Sequence, residues 1–205
     1  LHYLCPQIAI NGMESILITG ASGFIGSFIV EEAVRRGYDT WAGMRASSSK
    51  RYLQDASIKF IDLDYAHPEK LREQLQQHVA EHGPFSYIVH CAGVTKCRDK
   101  ADFERVNYGH TRHFVEALQA LDMVPKVFVY LSSLSIFGPI HEQTYAPITE
   151  ADEPQPNTAY GVSKLKAEHY LQGLADFPYV ILRPTGVYGP REKDYYLMAK
   201  SIKAH

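Results

Sequence analysis

The sequence predicts a doubly wound α/β fold, in which helices cover both faces of a parallel sheet. Short apolar segments typical of strands alternate along the chain with longer segments of helical periodicity. The segment 126–131 is apolar enough to be buried on both faces, which is typical of a strand in a parallel sheet. Right-handed crossovers between successive strands are expected to bring the strands into one sheet.

The predicted elements alternate from Met13 onward. Residues 1–12 carry neither strand nor helix periodicity, and we interpret them as an N-terminal extension before a natural start at Met13. The predicted strands are 16–19, 40–44, 58–62, 87–91, 126–131 and 179–182. The predicted helices are 24–36, 68–82, 102–121 and 159–174, and the predicted surface loop is 139–158.

Size and charge restrict the classes of function. With 205 residues, of which 45% are hydrophobic, the chain can bury one sizeable core. The net charge of −2 offers no electrostatic surface for nucleic acid or an anionic membrane, so a small-molecule substrate is expected. No apolar run reaches the roughly 20 residues that span a bilayer, and we expect a cytoplasmic protein.

The cysteines and histidines give no sign of a metal site. Cys5, Cys91 and Cys97 lack C-x-x-C spacing and are expected to be reduced thiols. His78 and His82 lie one helical turn apart, for which a solvated helix face is the simpler explanation. No metal is therefore expected.

A glycine-rich segment joins the first predicted strand to the first predicted helix. Its spacing is G-x-x-G-x-x-G, which differs from the general dinucleotide fingerprint, and a tight turn with close helix packing is the alternative. The junction is nevertheless the place where doubly wound sheets bind dinucleotides, and backbone N–H groups there can hold a pyrophosphate. The predicted cofactor residues of this turn are Gly20, Ser22, Gly23, Phe24, Ile25 and Gly26.

The end of the second predicted strand favours NADP over NAD. A carboxylate at this position would bind the ribose 2′-hydroxyl of NAD, whereas a basic residue would accept the 2′-phosphate of NADP. Arg45 occupies the position, and no carboxylate occurs from residue 40 to residue 54. Arg45 could instead be an ordinary exposed cation, so NAD remains the alternative cofactor.

Tyr160 and Lys164 form a candidate proton-transfer pair. They lie four residues apart at the start of a predicted helix and therefore share one helix face. About one such pair is expected by chance among the 14 tyrosines, but Ser133 lies at the end of the fifth strand, on the same sheet edge. We expect Lys164, with an oxidised nicotinamide, to lower the pKa of Tyr160 toward neutrality, and Ser133 to hold the substrate oxygen.

These motifs together resemble the extended short-chain dehydrogenase/reductase family, the NAD-dependent epimerase/dehydratase group, from Met13 to about Met198. The resemblance implies a Rossmann-like domain over residues 13–190, followed at 191–205 by the start of a small substrate domain that is mostly absent from this chain. It implies catalytic roles for Ser133, Tyr160 and Lys164, and a supporting role for Asn107. Further cofactor contacts implied by the resemblance are Asp62, Leu63, Cys91, Ala92, Gly93, Pro184 and Val187.

Two departures and one local similarity affect the substrate. Phe137 stands where many members carry Tyr, and Gly186 stands where sugar-nucleotide epimerases often carry Asn. The segment 37–45 is similar to the dihydroflavonol-reductase-like branch, which prefers NADP and reduces carbonyls. Candidate substrate residues are Thr95, Ser135 and Tyr188.

Three functions are therefore compared. The first is an oxidoreductase that reduces a small carbonyl, the second a nucleotide-sugar epimerase or dehydratase, and the third a non-catalytic sensor that binds a dinucleotide. A homodimer is also expected, because the two long helices carry apolar residues that one sheet face cannot all cover, namely Phe103, Val106, Phe114 and Leu171.

Overall fold

The computed structural model describes residues 14–203 and contains one six-stranded parallel sheet. The strand order is β3-β2-β1-β4-β5-β6, with every neighbouring pair parallel. The strands are β1 (Ser15–Thr19), β2 (Asp39–Met44), β3 (Lys59–Asp62), β4 (Tyr87–His90), β5 (Val127–Leu131) and β6 (Tyr179–Leu182). The predicted doubly wound fold is confirmed.

Helices cover the connections between strands. The helices are α1 (Phe24–Arg35), α2 (Pro68–His82), α3 (Ala101–Phe103), α4 (Thr111–Ala120), α5 (Ala159–Gln172) and α6 (Asp194–Lys203), with a π-helical segment at Glu104–His110 and a 3-10 turn at Leu134–Ile136. The expectations for residues 1–12, Met13 and Cys5 fall outside the described residues, as do residues 204–205 of the predicted substrate part.

Two hydrophobic clusters lie on opposite faces of the sheet. Because successive side chains of a strand point to opposite faces, Leu17 packs with Ile88 and Phe128 in one cluster. Its neighbour Ile18 packs with Val30 of α1 in the other cluster. Both faces of β1 are therefore covered, as a parallel sheet requires.

The expectation that the fifth strand is buried on both faces is wrong for one face. Phe128 and Tyr130 are fully buried, whereas the alternate residues of β5 are only partly buried. The helix on that second face, α1, packs against β1 and β2 and leaves β5 and the terminal strand β6 less covered.

The predicted helix 102–121 is interrupted. It consists of α3, the π-helical segment and α4, with helical backbone angles at each junction. The hydrophobic periodicity of the sequence does not reveal the π-helical segment, because such a segment displaces the side chains after it by only one position. The segment contains Asn107, one of the predicted catalytic residues.

The apolar residues behind the expected homodimer do not form an exposed surface. Phe114 and Leu171 are completely buried in the core, and that part of the expectation is wrong. Phe103 is half-buried against the ring of Tyr160, with ring centroids 5.9 Å apart, and Val106 lines the cleft described below. A homodimer remains a prediction without these residues to support it.

One of the two histidines of α2 also differs from expectation, whereas His82 is exposed as expected. His78 is buried rather than solvated, because its ring stacks on Phe85 with centroids 4.1 Å apart and meets Trp41 edge-on. Within residues 14–203, no group of three or more His, Cys, Asp or Glu side chains could hold a metal ion. In the same part of the chain, no helix has the length and apolar character needed to cross a membrane.

Candidate active site

A cleft of about 830 Å³ opens at the carboxyl ends of β1, β2, β3 and β4. This is the edge of a parallel sheet where ligands bind in doubly wound folds. The predicted cofactor residues that line it are Gly20, Ser22, Gly23, Arg45, Asp62, Leu63, Cys91, Ala92 and Gly93. The structure thus brings together nine residues from four separate segments of the sequence.

The glycine turn forms one wall of the cleft. Gly20 has a φ of +63°, and a Cβ there would lie 2.8 Å from the backbone nitrogen of Ala92, so only glycine fits. Gly23 then begins α1, whose first turn carries no acidic residue, and no side chain within residues 14–203 caps this helix end. The N–H groups there remain available to an anion. The turn therefore fits the pyrophosphate of a dinucleotide.

The remaining residues of the turn do not face this cleft. Gly26 is buried where α1 packs on the turn, and the side chains of Phe24 and Ile25 lie on the outer side of α1. There they line a second, apolar groove of about 390 Å³ together with Val187 and Tyr188. Phe24 and Ile25 are thus available to the cleft only through their backbone.

The end of β2 forms the opposite wall. Arg45 is exposed and lines the cleft with Ser47 and Ser48, whose N–H donates to Arg45 O over 2.8 Å. The carboxylate of Asp62 accepts a hydrogen bond of 3.0 Å from the N–H of Ala46. Asp62 thereby holds the loop that carries Arg45, which is a function in addition to the predicted cofactor contact.

A buried histidine links the cleft to the π-helical segment, and sequence reasoning missed it. The N–H of Ala92 donates to Thr19 Oγ1 over 3.2 Å, and Thr19 Oγ1 lies 2.9 Å from His90 Nδ1. On the other side, His90 Nε2 lies 3.1 Å from Thr111 Oγ1, which donates its only hydroxyl proton to Asn107 O. Nε2 must therefore carry the proton of His90, and Nδ1 must accept from Thr19.

Burial keeps this imidazole neutral. Desolvation, reinforced by the charge of Lys164, lowers the pKa of His90 to about 3. The sequence signal was only the position of His90 next to Cys91 at the end of a strand.

Asn107 connects three segments. Its Oδ1 accepts from the N–H of Val94 over 2.8 Å, and its Nδ2 donates to Val94 O and to Ser163 Oγ, each over 3.0 Å. The π-helical segment is thus tied to the loop after β4 and to α5. These contacts are to the scaffold, and the supporting role of Asn107 stays a prediction.

Ser133, Tyr160 and Lys164 come together beside the carboxyl end of β5. Thr158 caps α5 by accepting from the N–H of Gly161 over 3.0 Å. A Cβ at Gly161 would lie 2.4 Å from Ser135 O, so glycine allows α5 to approach the 3-10 turn closely. This approach brings the Tyr160 hydroxyl close to the Ser133 side chain.

Lys164 is buried beneath this pair. Its Nζ donates to Leu131 O over 2.8 Å and lies 4.9 Å from the centre of the Tyr130 ring. Nζ also lies 3.4 Å from the position that a Cβ of Gly93 would take, which links it to the cleft. The three residues thus lie next to the dinucleotide-sized cleft without forming part of its lining.

In the chain alone, the pKa of Tyr160 is raised rather than lowered, and the joint effect of Lys164 and an oxidised nicotinamide stays a prediction. Burial raises the pKa of Tyr160, and the nearby Ser133 hydroxyl opposes this rise only in part. Lys164 directs its ammonium group to Leu131, and burial lowers its own pKa to about 8, against the opposing charge of Glu168. Desolvation therefore dominates both groups.

Pro184, which follows β6, and the predicted substrate residues do not lie together at one place. Pro184 lies beside the 3-10 turn, because the N–H of Leu134 donates to Pro184 O over 2.9 Å. Ser135 is exposed and accepts from Ser133 Oγ over 3.1 Å. Thr95 and Tyr188 are exposed and lie outside the lining of the large cleft.

Tyr195 of α6 is a residue that the sequence did not indicate. A Cβ added to Gly186 would lie 2.1 Å from the Tyr195 hydroxyl, so this phenol occupies the space of the side chain that Gly186 lacks. The departure at Gly186 is therefore linked to Tyr195. Any larger residue at position 186 would displace it.

Comparisons with known proteins agree with this geometry. The profile of the NAD dependent epimerase/dehydratase family matches residues 16–204. UDP-glucose 4-epimerase of Vibrio cholerae is 30% identical over 192 residues, which cover 88% of this chain and 54% of that protein. The chloroplastic divinyl chlorophyllide a 8-vinyl-reductase of Zea mays is 29% identical over 196 residues, which cover 89% of this chain and 43% of that protein.

A solved structure gives the same result. UDP-glucose 4-epimerase of Thermus thermophilus in complex with NAD is 27% identical, with a TM-score of 0.72 over 87% of this chain and 57% of that one. The chain thus spans about half the length of these relatives. Because the family profile matches almost the whole described chain, and the fold and glycine turn agree with it, the chain belongs to the NAD-dependent epimerase/dehydratase family.

Proposed function

We propose that this chain is the dinucleotide-binding part of an NAD-dependent enzyme that epimerises or dehydrates a nucleotide-linked sugar. The observation that carries the proposal is the meeting of Ser133, Tyr160 and Lys164 at the same sheet edge as the glycine-lined cleft. The Vibrio cholerae and Thermus thermophilus relatives are UDP-glucose 4-epimerases, which favours this function over the reduction of a small carbonyl.

The cleft can hold a dinucleotide such as NAD. The Gly20–Gly23 turn and the start of α1 would hold the pyrophosphate, and the end of β2 would hold the adenosine ribose. When bound, NAD would supply a hydride acceptor and donor for the substrate carbon.

Tyr160 would exchange a proton with the substrate oxygen. When the substrate hydroxyl is oxidised, Tyr160 would accept its proton as a phenolate, which a nearby positive charge favours. When the carbonyl is reduced, Tyr160 would return the proton as a neutral phenol, the form that burial favours because it raises the pKa of Tyr160. Ser133 lies beside the Tyr160 hydroxyl and would orient the same oxygen. Lys164, with a pKa of about 8, is mostly an ammonium group near pH 7 and would favour the phenolate that remains.

Turnover of nucleotide sugars tests the proposal. In the full-length protein with NAD, we expect conversion of UDP-glucose or a related UDP-sugar without net formation of reduced cofactor. Tyr160→Phe should lower kcat by a factor of about 100 to 10,000, because it removes the proton donor. Tyr145→Phe is the matched control, since Tyr145 is 88% exposed on the surface loop. An unchanged kcat in Tyr160→Phe would contradict the catalytic role of Tyr160, whereas NAD binding without any turnover in the unaltered protein would favour the sensor function.

A second candidate is an NADPH-dependent reductase. Arg45 lines the cleft where a 2′-phosphate would lie, and the maize relative is a reductase. For this function we expect several-fold tighter binding of NADPH than of NADH, and Arg45→Ala should remove the difference. Equal affinities in the unaltered protein would eliminate the preference for NADP. Stoichiometric loss of reduced cofactor during turnover would favour the reductase over the epimerase.

A further inference from the structure

Glu168 is a completely buried carboxylate one helical turn after Lys164 on α5. Arg183 Nη2 donates to Glu168 Oε2 over 2.8 Å, and Arg183 Nε lies 3.3 Å and 3.2 Å from the two carboxylate oxygens. The hydroxyl of Ser132 donates to Glu168 Oε1. The guanidinium of Arg183 also lies 5.3 Å from the centre of the buried ring of Phe137.

Each partner of Glu168 is next to a residue of the proposed site. Ser132 precedes Ser133, and Arg183 precedes Pro184. Two backbone hydrogen bonds join the same segments. The N–H of Ser132 donates to Leu182 O over 2.8 Å, and the N–H of Leu134 donates to Pro184 O over 2.9 Å. The carboxylate therefore stands where the ends of β5 and β6 meet α5.

Stability alone does not explain a buried ion pair at this position. Removing two charges from water costs several kcal/mol per ion, and apolar replacements of similar volume are often as stable or more stable. What an ion pair with fixed geometry does provide is one arrangement of the segments that it joins. The planar guanidinium of Arg183 is suited to this because it binds a carboxylate through two donors.

We propose that Glu168 is a positioning residue, which acts through Ser132 and Arg183 to fix the distance between Ser133, just after β5, and the Tyr160–Lys164 face of α5. The proposal rests on the proposed function, because it concerns the arrangement of the same site. Neither Glu168 nor Arg183 contacts the large cleft, so their effect on the reaction is indirect.

The pKa of Lys164 gives a direct measure of the influence of Glu168 on the site. The groups that face its ammonium are Cys91 and His90 at the end of β4, Tyr130 on β5 and Glu168 on its own helix. The negative charge of Glu168 raises the pKa of Lys164 against the effect of burial. Neutral Gln at position 168 should therefore lower the pKa of Lys164 below about 8, and the alkaline limb of the kcat profile should move to lower pH.

The experiment compares Glu168→Gln with Glu104→Gln in the full-length protein. Glu104 also forms an ion pair with α5, through Lys166 over 2.7 Å, but both side chains are about half exposed. Kinetics with a UDP-sugar, the Kd of NAD and NMR titration of isotope-labelled lysine are measured for each variant. For Glu168→Gln we expect kcat to fall between about tenfold and hundredfold, the Kd of NAD to change less than about twofold, and the Lys164 titration to shift. Glu104→Gln should leave all three near wild-type values.

A second variant distinguishes a loss of positioning from a loss of stability. In the triple variant Ser132→Ala, Glu168→Leu and Arg183→Met, the buried polar groups are removed together, so stability should be recovered. If kcat stays low after stability returns, positioning is supported; if kcat returns with stability, the pair only supports packing and the proposal is overturned. An unchanged Lys164 titration in Glu168→Gln overturns it as well. Inactivity of the wild-type protein on UDP-sugars would instead count against the proposed function, since the titration and NAD binding need no substrate.

Discussion

Alanine substitutions at two glycines distinguish the cost of a left-handed backbone from the cost of a steric clash. Gly20 and Gly37 both have left-handed backbone angles, with φ of +63° and +79°. Alanine at either position should cost about 1 kcal/mol of unfolding free energy from the backbone alone. At Gly20 the added Cβ would also press on Ala92, so we expect Gly20→Ala to weaken NAD binding at least about tenfold. Calorimetric titration with NAD measures the difference.

Gly37→Ala is the matched control, because nothing in residues 14–203 lies within 4 Å of its added Cβ. It should lose stability and keep its affinity for NAD. Equal affinities in the two variants would show that the contact between the glycine turn and Ala92 does not shape the cofactor site.

His90 offers a second test at this scale. The hydrogen bonds that link Ala92 to Asn107 require the His90 proton to be on Nε2, so that Nδ1 is an acceptor. Since burial lowers its pKa to about 3, we expect this tautomer to persist between about pH 5 and pH 8. Long-range proton–nitrogen NMR correlations identify the protonated nitrogen. Thr111→Val should weaken the preference by removing the acceptor, and a protonated Nδ1 in the wild-type protein would contradict the assignment.

The sequence identifies residues whose type is forced by backbone geometry better than residues that act through contacts. Gly20 and Gly23 are recognisable because a tight turn before a helix needs glycine. The partners of Glu168 cannot be recognised in this way, because Ser132 and Arg183 are 36 and 15 positions away along the chain. Only the fold brings them together.

At the level of elements, Asn107 joins the π-helical segment to its surroundings. Its side chain makes three hydrogen bonds and is completely buried. Asn107→Ala should therefore lower the free energy of unfolding by about 3 kcal/mol, at about 1 kcal/mol for each bond lost. Denaturant titration measures the change, with Gln119→Ala on the exposed face of α4 as the control. A loss below about 1 kcal/mol would mean that packing alone holds the segment.

The strands were predictable because short apolar segments between turn residues and predicted helices leave few alternatives. The segment 179–182 coincides with β6, and the other strands differ from prediction by one residue at an end. The π-helical segment was not predictable, because its cause is the fit of Asn107 between Val94 and Ser163 rather than a local preference. The 3-10 turn after β5 was missed for a similar reason, since Ser133 caps it through a contact with Ser135.

The stability of the whole molecule should depend on pH through buried imidazoles. Burial lowers the pKa of His90 to about 3, and the pKa values of His78 and His110 to about 4, from an ordinary value of 6.5. The unfolded chain therefore binds more protons than the folded chain below about pH 6.5, and the free energy of unfolding must fall as the pH is lowered from there toward about 4. Between about pH 6.5 and pH 5, each fully buried imidazole should contribute a loss of about 2 kcal/mol.

His78→Phe isolates one of these contributions. The phenyl ring can take the place of the imidazole between Phe85 and Trp41, so packing is largely kept while a titrating group is removed. Denaturant titrations of the full-length protein at about pH 7 and pH 5 should therefore show a smaller acid-induced loss in the variant than in the wild type. Asp and Glu contribute little in this range because their ordinary pKa values lie lower. If the two proteins lose the same free energy, the imidazole of His78 is accessible to protons in the folded state, and α2 does not seal this end of the core.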